Sequence, residues 1–187
     1  MVIDDPNSHC ILYRRTNPQL DGGLWPNGRE IYSGRAINVR EQKKEIIMPN
    51  GAKIKYQQAE NTAKACDDAQ GQEFTQILID EATQHDPIFL KYAMSRLRSP
   101  SRHFSRMVMS CNPSPDHMIR GMIDWYLDNE GYPDPEKEGK IRYFVVRNDE
   151  FIWGDSKGEL GDKFDIEEKD WDAKILSFSF VSGTIYD

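Results

Sequence analysis

Three short apolar runs in this sequence stop abruptly at polar residues. His9–Tyr13 closes at Arg14-Arg15, Phe74–Ile79 at Asp80-Glu81, and Met107–Met109 at Ser110-Cys111-Asn112-Pro113. Runs this short, rich in β-branched, aromatic and other apolar residues, read as buried strands. Between the second and third, Pro87 to Leu97 sets Ile88, Leu90, Tyr92, Ala93 and Leu97 at spacings that fit an amphipathic helix, and Ser99-Pro100-Ser101 breaks it. Strands alternating with helices imply an α/β fold with a mainly parallel sheet covered on both faces. In such a sheet ligands bind in the crevice at the carboxyl ends of the strands, where these polar tips would gather.

The remaining segments fit around that frame. Asn17-Pro18 and Asp21-Gly22-Gly23 mark a loop. Ile46-Ile47-Met48 and Ala52 to Gln57, joined by Pro49-Asn50-Gly51, read as an antiparallel hairpin insertion. Ala59 to Ala69 reads as a loose helix or loop closed by Gly71. Asp116 is placed to cap a helix through Ile119, Met122, Ile123, Trp125 and Tyr126. Gly131 to Gly139 is a turn, and Ile141–Val146 and Ile175–Phe180 are further strands.

A length of 187 residues suits one domain with its own core, and 38% hydrophobic with 29% charged residues is an ordinary globular balance. No apolar run reaches the roughly 18 residues of a membrane span, and the N-terminus has no secretory pattern. Cys10, Cys66 and Cys111 cannot form a full disulfide set and lack zinc-site spacing, which fits a reducing cytoplasm. The net charge of −7 argues against a chain coated in nucleic-acid-binding charge, but it is unevenly spread. Lys91, Arg96, Arg98, Arg102 and Arg106 follow one another with no acid among them, and Arg96, Arg98 and Arg102 are candidate contacts to DNA phosphate or a solvated helix end.

An apolar strand ending in two adjacent carboxylates is the Walker B pattern of nucleotide hydrolases. Its chemistry needs two acids in different roles. Asp80 would hold Mg²⁺, directly or through water, so that the metal can bridge the β and γ phosphates, and Glu81 would polarise the attacking water. One helix later, Ser110 and Asn112 end the neighbouring strand. There a side chain that donates and accepts hydrogen bonds can sense the water or the γ-phosphate and pass hydrolysis on as movement. The bland alternatives are that Asp80-Glu81 caps the next helix and that Asn112-Pro113 begins a turn.

Taken together, Asp80-Glu81-Ala82-Thr83-Gln84 and Ser110-Cys111-Asn112-Pro113-Ser114-Pro115-Asp116-His117 resemble the Walker B and coupling motifs of phage terminase large subunits. Tyr13-Arg14-Arg15-Thr16 with Leu20 resembles that family's strand after the P-loop helix, and Pro49 to Ile54 its hairpin. Phe180 to Asp187 resembles the segment that closes its ATPase domain. The likeness runs through nearly the whole chain in the family's order. It implies a P-loop ATPase core that uses ATP and Mg²⁺ to drive double-stranded DNA into a procapsid. It also implies a following nuclease domain, a portal protein and a small terminase subunit as partners, a homo-oligomeric ring at full length, and residence in the host cytoplasm with visits to the procapsid portal.

The sequence departs from the family at two places. It contains no Gly-x-x-x-x-Gly-Lys-Ser/Thr loop to cradle phosphates. Residues 1–187 are therefore expected to be a partial ATPase domain, with Walker B and coupling motif but neither Walker A nor nuclease domain, and to be inactive alone. Such a piece would be a fragment or a truncated or misassigned reading frame. Gln70 stands where many relatives carry an arginine that acts across a subunit boundary, which leaves Arg14 and Arg15 as candidate arginine fingers. Three other readings stay open. A non-catalytic interaction or DNA-contact module is favoured by the missing loop; a helicase-like ATPase fragment would require a second arginine-bearing domain. A metal nuclease would require more carboxylates on neighbouring strand ends.

Overall fold

The computed structural model describes residues 3–112 and 114–183, which fall into two compact units, Met1–Ile119 and Arg120–Asp187. The first is built on a six-stranded sheet of β1 (His9–Arg14), β2 (Asn38–Arg40), β3 (Glu45–Ile47), β4 (Lys53–Gln58), β5 (Gln76–Ile79) and β6 (Arg106–Met109). The strand order is β2-β3-β4-β1-β5-β6. β4, β1, β5 and β6 are parallel neighbours, and β2 and β3 run antiparallel at one edge. The mainly parallel sheet expected from the three apolar runs is what forms.

β1 is central because its residues are buried on both faces. Cys10 joins a cluster with Leu20, Trp25, Ile46, Ile54 and Tyr56 on one side. On the other, Tyr13 meets Phe89 edge-to-face at 4.9 Å. The expected hairpin is present and turns at Asn50-Gly51. The Met48 N–H donates to the Ala52 carbonyl at 2.9 Å, and Gly51 takes a φ of +98°, which favours glycine. Its second arm, β4, also pairs in parallel with β1, so the hairpin extends the central sheet rather than standing apart from it.

The segment after β1 differs from expectation. Where Asn-Pro and Gly-Gly signal a loop, the chain is helical: α1 (Asn17–Gln19), a π-helical turn over Leu20–Leu24, and α2 (Trp25–Ile31). Thr16 and Gln19 form a reciprocal capping box at the start, and Pro18 lies in the first turn where its missing N–H costs nothing. Burial of Leu20 and Trp25 outweighs the turn propensity of Gly22 and Gly23, which the wider π-turn absorbs.

Next come α3 (Thr62–Ala69), capped by Asn61, and α4 (Pro87–Met94), capped by Asp86. α3 settles the loose helix or loop expected there as a helix, and Gly71 follows it at a φ of +73°. α5 (Met118–Ile123) begins where a helix was expected, but the N–H of Ile119 donates to His117 Nδ1 instead of meeting Asp116.

In the second unit, β7 (Arg142–Arg147), β8 (Glu150–Gly154) and β9 (Leu176–Phe178) make a separate antiparallel sheet in the order β8-β7-β9. β7 and β9 are the two late strands read from the sequence, and they do not join the parallel sheet. β8 was not anticipated, although Asn148 and Asp149, both at positive φ, form the two-residue turn that such a hairpin needs. α6 (Lys157–Phe164), capped by Ser156, and α7 (Trp171–Lys174) pack on it. Leu160, Ile166 and Ile175 are buried, and Trp171 Nε1 donates to the Ile166 carbonyl at 3.0 Å. Thr184–Asp187, the end of the segment likened to the close of an ATPase domain, lies outside the described residues.

Gly28 is where packing on the sheet is tightest. A Cβ there would stand 2.1 Å from the hydroxyl of Tyr56, itself buried against Trp25. Gly28→Ala gains up to about 1 kcal/mol of helix propensity but overpacks a rigid ring at about 1–3 kcal/mol. Urea denaturation is expected to show a net loss of stability, and an unchanged or raised midpoint would mean that Tyr56 yields freely.

Candidate functional site

Strand register assembles the site. Tyr13 pairs with Ile79 and Ile79 with Met109, so the next residues, Arg14, Asp80 and Ser110, stand side by side at the carboxyl ends of β1, β5 and β6. The backbone is tied across the row. The Asp80 N–H donates to the Tyr13 carbonyl at 3.0 Å, the Ser110 N–H to Ile79 at 3.0 Å, and the Ala82 N–H to Ser110 at 2.8 Å.

Both carboxylate oxygens of Asp80 are engaged. Ser110 Oγ donates to Oδ1 at 2.6 Å, and the Arg14 guanidinium forms an ion pair with Oδ2. Glu81 differs in every respect. Its backbone is left-handed, φ 53° and ψ 52°, a conformation costing roughly 1–2 kcal/mol for a residue with a Cβ. It bends the chain out of β5 into a short 3₁₀ turn over Ala82–Gln84. Among the described residues its carboxylate has no hydrogen bond or ion pair. Its charge, after burial, helps to push up the Cys111 thiol beside it. Thr83 Oγ1 donates to the Asn112 carbonyl at 3.1 Å, which fastens the second motif to the first. The structure thus brings Asp80, Glu81, Ser110 and Asn112 together, with the Asn112 residue exposed. Pro113 is outside the described residues.

The motif implies a divalent cation, and the donor chemistry fits one. Asp80 is a partly exposed carboxylate, already balanced by a cation, with a hydroxyl beside it. Mg²⁺ usually takes one or two carboxylates and completes its shell with water and phosphate oxygens. Among the described residues no group of three or more His, Cys, Asp or Glu could hold an ion, so there is no all-protein cage there.

The candidate fingers separate: Arg14 is bound within its own chain, whereas Arg15 is exposed and, among the described residues, has no ion pair. His85 lies just beyond the 3₁₀ turn, 3% exposed, against Phe89, and neither ring nitrogen has a hydrogen-bond partner among the described residues. Burial first, then the positive charges of Arg15 and Arg14, lower its pKa to about 4. The His117 ring spans two elements. Its Nδ1 accepts from Ile119 and its Nε2 lies 3.0 Å from the His85 carbonyl, which fits the neutral tautomer with the proton on Nε2.

The basic stretch lies at the other end of the sheet. Ser99 accepts from Thr75, just before β5, which sets this loop roughly 17 Å from Asp80 at the strand rise of about 3.3 Å per residue. Each of the three candidate DNA contacts there has a neighbour. Arg102 meets Asp4 at 2.8 Å, Arg98 meets Glu73 at 3.4 Å, and Arg96 lies over the Tyr92 ring at 5.1 Å.

Sequence comparison places the chain in a family. The family described as "Terminase large subunit, T4likevirus-type, N-terminal" matches residues 29–177. The chain belongs to the terminase large subunit family. No match was found among curated proteins. Of solved structures, the large terminase of a thermophilic bacteriophage in complex with ADP matches with a TM-score of 0.50 and 17% identity, over 68% of this chain and 32% of that one. Another crystal form of the same protein gives 0.49 and 15% over the same shares. The likeness to the ADP complex shows a shared fold, and this terminase chain spans about a third of the length of the structures it matches.

Sequence reasoning did not anticipate that Arg14 and Asp80 would pair, or that Thr83 would tie the motifs together. The first was within reach, since both residues directly follow apolar runs that become neighbouring parallel strands. The second depends on the 3₁₀ turn, which no residue pattern announces. No helix among the described residues of this terminase chain is long and apolar enough to cross a membrane.

Burial of His85 makes stability depend on pH in a stated direction. Its folded pKa of about 4 lies below the model-peptide value of 6.5. Above 6.5 the ring is neutral in both states and adds no pH dependence. As pH falls from 6.5 towards 4, the unfolded chain binds a proton that the folded one refuses, and stability drops by roughly 2–3 kcal/mol. Denaturation at pH 7, 6, 5 and 4.5 should show this slope and its flattening in His85→Leu; equal slopes would mean that the imidazole reaches solvent.

Proposed function

We propose that this chain is the part of a viral DNA-packaging ATPase that carries the Walker B carboxylates and the coupling motif. The observation that carries the reading is the row of Arg14, Asp80 and Ser110, with Glu81 and Asn112 beside it, at the carboxyl ends of adjacent parallel strands. In this reading Asp80 holds the magnesium of a Mg–ATP complex, with Ser110 fixing the carboxylate's orientation. Glu81, left without a partner and bent away from the strand, accepts a proton from the attacking water. Asn112, fastened through its carbonyl to Thr83, moves with the Walker B turn, so a change at the phosphate reaches the element that begins at α5. The complex of the thermophilic phage protein with ADP supports a nucleotide as the ligand of this fold. The magnesium, when bound, supplies charge neutralisation on the phosphates.

Residues 1–187 then act as part of an ATPase domain that requires a phosphate-cradling loop supplied by other residues. Double-stranded viral DNA, a portal protein and a small terminase subunit are the partners, around a ring of copies in the host cytoplasm. Arg15, exposed and unpaired among the described residues, is the better placed of the two candidate fingers for reaching a neighbouring subunit. Arg96, Arg98 and Arg102 are the proposed phosphate contacts on the opposite rim, where each would exchange a protein neighbour for a DNA phosphate.

Two measurements test this. In the full packaging protein that carries these residues, Glu81→Gln is expected to lower kcat for Mg–ATP by at least about 100-fold, the scale of general base catalysis, with ATP binding retained. Undiminished turnover would remove Glu81 from the chemistry. In the same protein, Arg98→Glu with Arg102→Glu is expected to reduce the slope of log K for DNA against log salt by about 2. Unchanged affinity and slope would leave these arginines as structural ion pairs.

A further inference from the structure

The ion pair between Arg14 and Asp80 places a cation on the carboxylate that the proposed function gives to Mg²⁺. One oxygen of Asp80 is held by the Ser110 hydroxyl at 2.6 Å and the other by the guanidinium, so neither is free in this conformation. A magnesium ion bound directly to Oδ2, at its usual contact distance of about 2.1 Å, would compete with the guanidinium for that oxygen. The two groups would meet the same oxygen, and both are positive.

We propose that Arg14 is an exchangeable counter-ion for Asp80: it holds the carboxylate while no metal is bound and must leave when a divalent cation arrives. This inference rests on the reading of Asp80 as the metal-binding carboxylate.

Two observations say that the arginine is the part that moves. The first is the rigidity of everything else. Asp80, Ser110 and Ala82 are pinned by backbone bonds to Tyr13, Ile79 and Ser110, and the strands beneath them are buried. Arg14 is the long, flexible member of the group, with a quarter of its side chain exposed. The second is incomplete satisfaction. Arg14 Nε is buried and has no hydrogen-bond partner among the described residues. Buried side-chain donors mostly have a partner, whereas an arginine kept for exchange can leave one unmet in one of its two states.

The pair also has a use. An unpaired Asp80 beside Glu81 would set two acids at one strand end, and Arg14 balances the first until the metal does so. The apparent metal affinity is then reduced by the fraction of Asp80 that is unlocked. Arg14 acts through Asp80 and is a positioning residue, not a catalytic one.

The test uses the full packaging protein that carries these residues, loaded with ADP, with Mn²⁺ as the probe and its binding followed by the loss of the free-ion signal in electron paramagnetic resonance. Arg14→Gln is expected to raise Mn²⁺ affinity at least about tenfold, Arg14→Lys to restore most of the native value, and Asp80→Asn to abolish binding in the native and Arg14→Gln backgrounds. In the native chain, with Mg²⁺ as the diamagnetic titrant, the Nε–H resonance of Arg14 should move to a solvent-exposed position, a reading that depends on no variant. If Asp80→Asn abolishes binding but Arg14→Gln does not strengthen it and the Arg14 resonance stays put, the exchange is wrong and the metal site stands. Binding that survives Asp80→Asn, or no binding in any variant, removes the metal reading and the exchange with it.

Discussion

The parallel backbone ladder through β1, β5 and β6 is the constraint on which the rest of the first unit depends. Parallel strands are fixed in register by what their side chains bury, since a slip of one residue turns every side chain to the other face. Here the slip is forbidden from both sides. Cys10 belongs to the cluster around Trp25 and Tyr56, and Tyr13 must meet Phe89. With Tyr13 opposite Ile79 and Ile79 opposite Met109, the positions of Arg14, Asp80 and Ser110 are no longer independent facts. The polar row inherits its geometry from apolar packing one residue below it.

Holding polar groups in that row is unfavourable, and the costs collect at the strand ends. Glu81 sits in a left-handed conformation, His85 is buried as a neutral ring facing the charges of Arg14 and Arg15, and Arg14 keeps one donor unmet. Each would be relieved by a small local rearrangement. They persist because the turn that contains them is tied to β6 through the Ala82–Ser110 and Thr83–Asn112 bonds and rests on a buried sheet. Strain at a strand end held by a rigid scaffold is the usual setting for a ligand site.

What could be read from the sequence followed from how local its causes are. The three apolar runs, the Asn50-Gly51 turn and the acid pair at Asp80-Glu81 are each set by a few adjacent residues, and each was legible. The helical segment after Thr16 was not, because Pro18, Gly22 and Gly23 carry loop propensity that only the burial of Leu20 and Trp25 overrules. β2 was missed for the opposite reason: Asn38, Val39 and Arg40 are all exposed and have no apolar pattern to show. β8 was not legible despite the Asn148-Asp149 turn, because Glu150 to Gly154 is short, starts on an exposed acid and has no clean alternation of buried and exposed residues. At the site, residue types were legible and pairings were not. That Arg14 belongs to Asp80 depends on which strands become neighbours.

The two ends of the central sheet show why the site lies where it does. At the amino ends, polar groups satisfy one another: Asp5 accepts from the Arg102 backbone at 2.7 Å and from the Ser101 hydroxyl at 2.9 Å, and Asp4 holds the Arg102 guanidinium and the His103 ring. At the carboxyl ends the network stays open. Glu81, Arg15 and the Nε of Arg14 lack partners among the described residues, and Asn112 offers an exposed amide. Among the described residues the amino ends keep one buried neutral atom unmet, His9 Nε2, whereas Glu81, Arg15 and Arg14, left open at the carboxyl ends, are charged. Unmet charged groups beside a rigid row of polar strand ends are the feature on which the proposed ligand site rests.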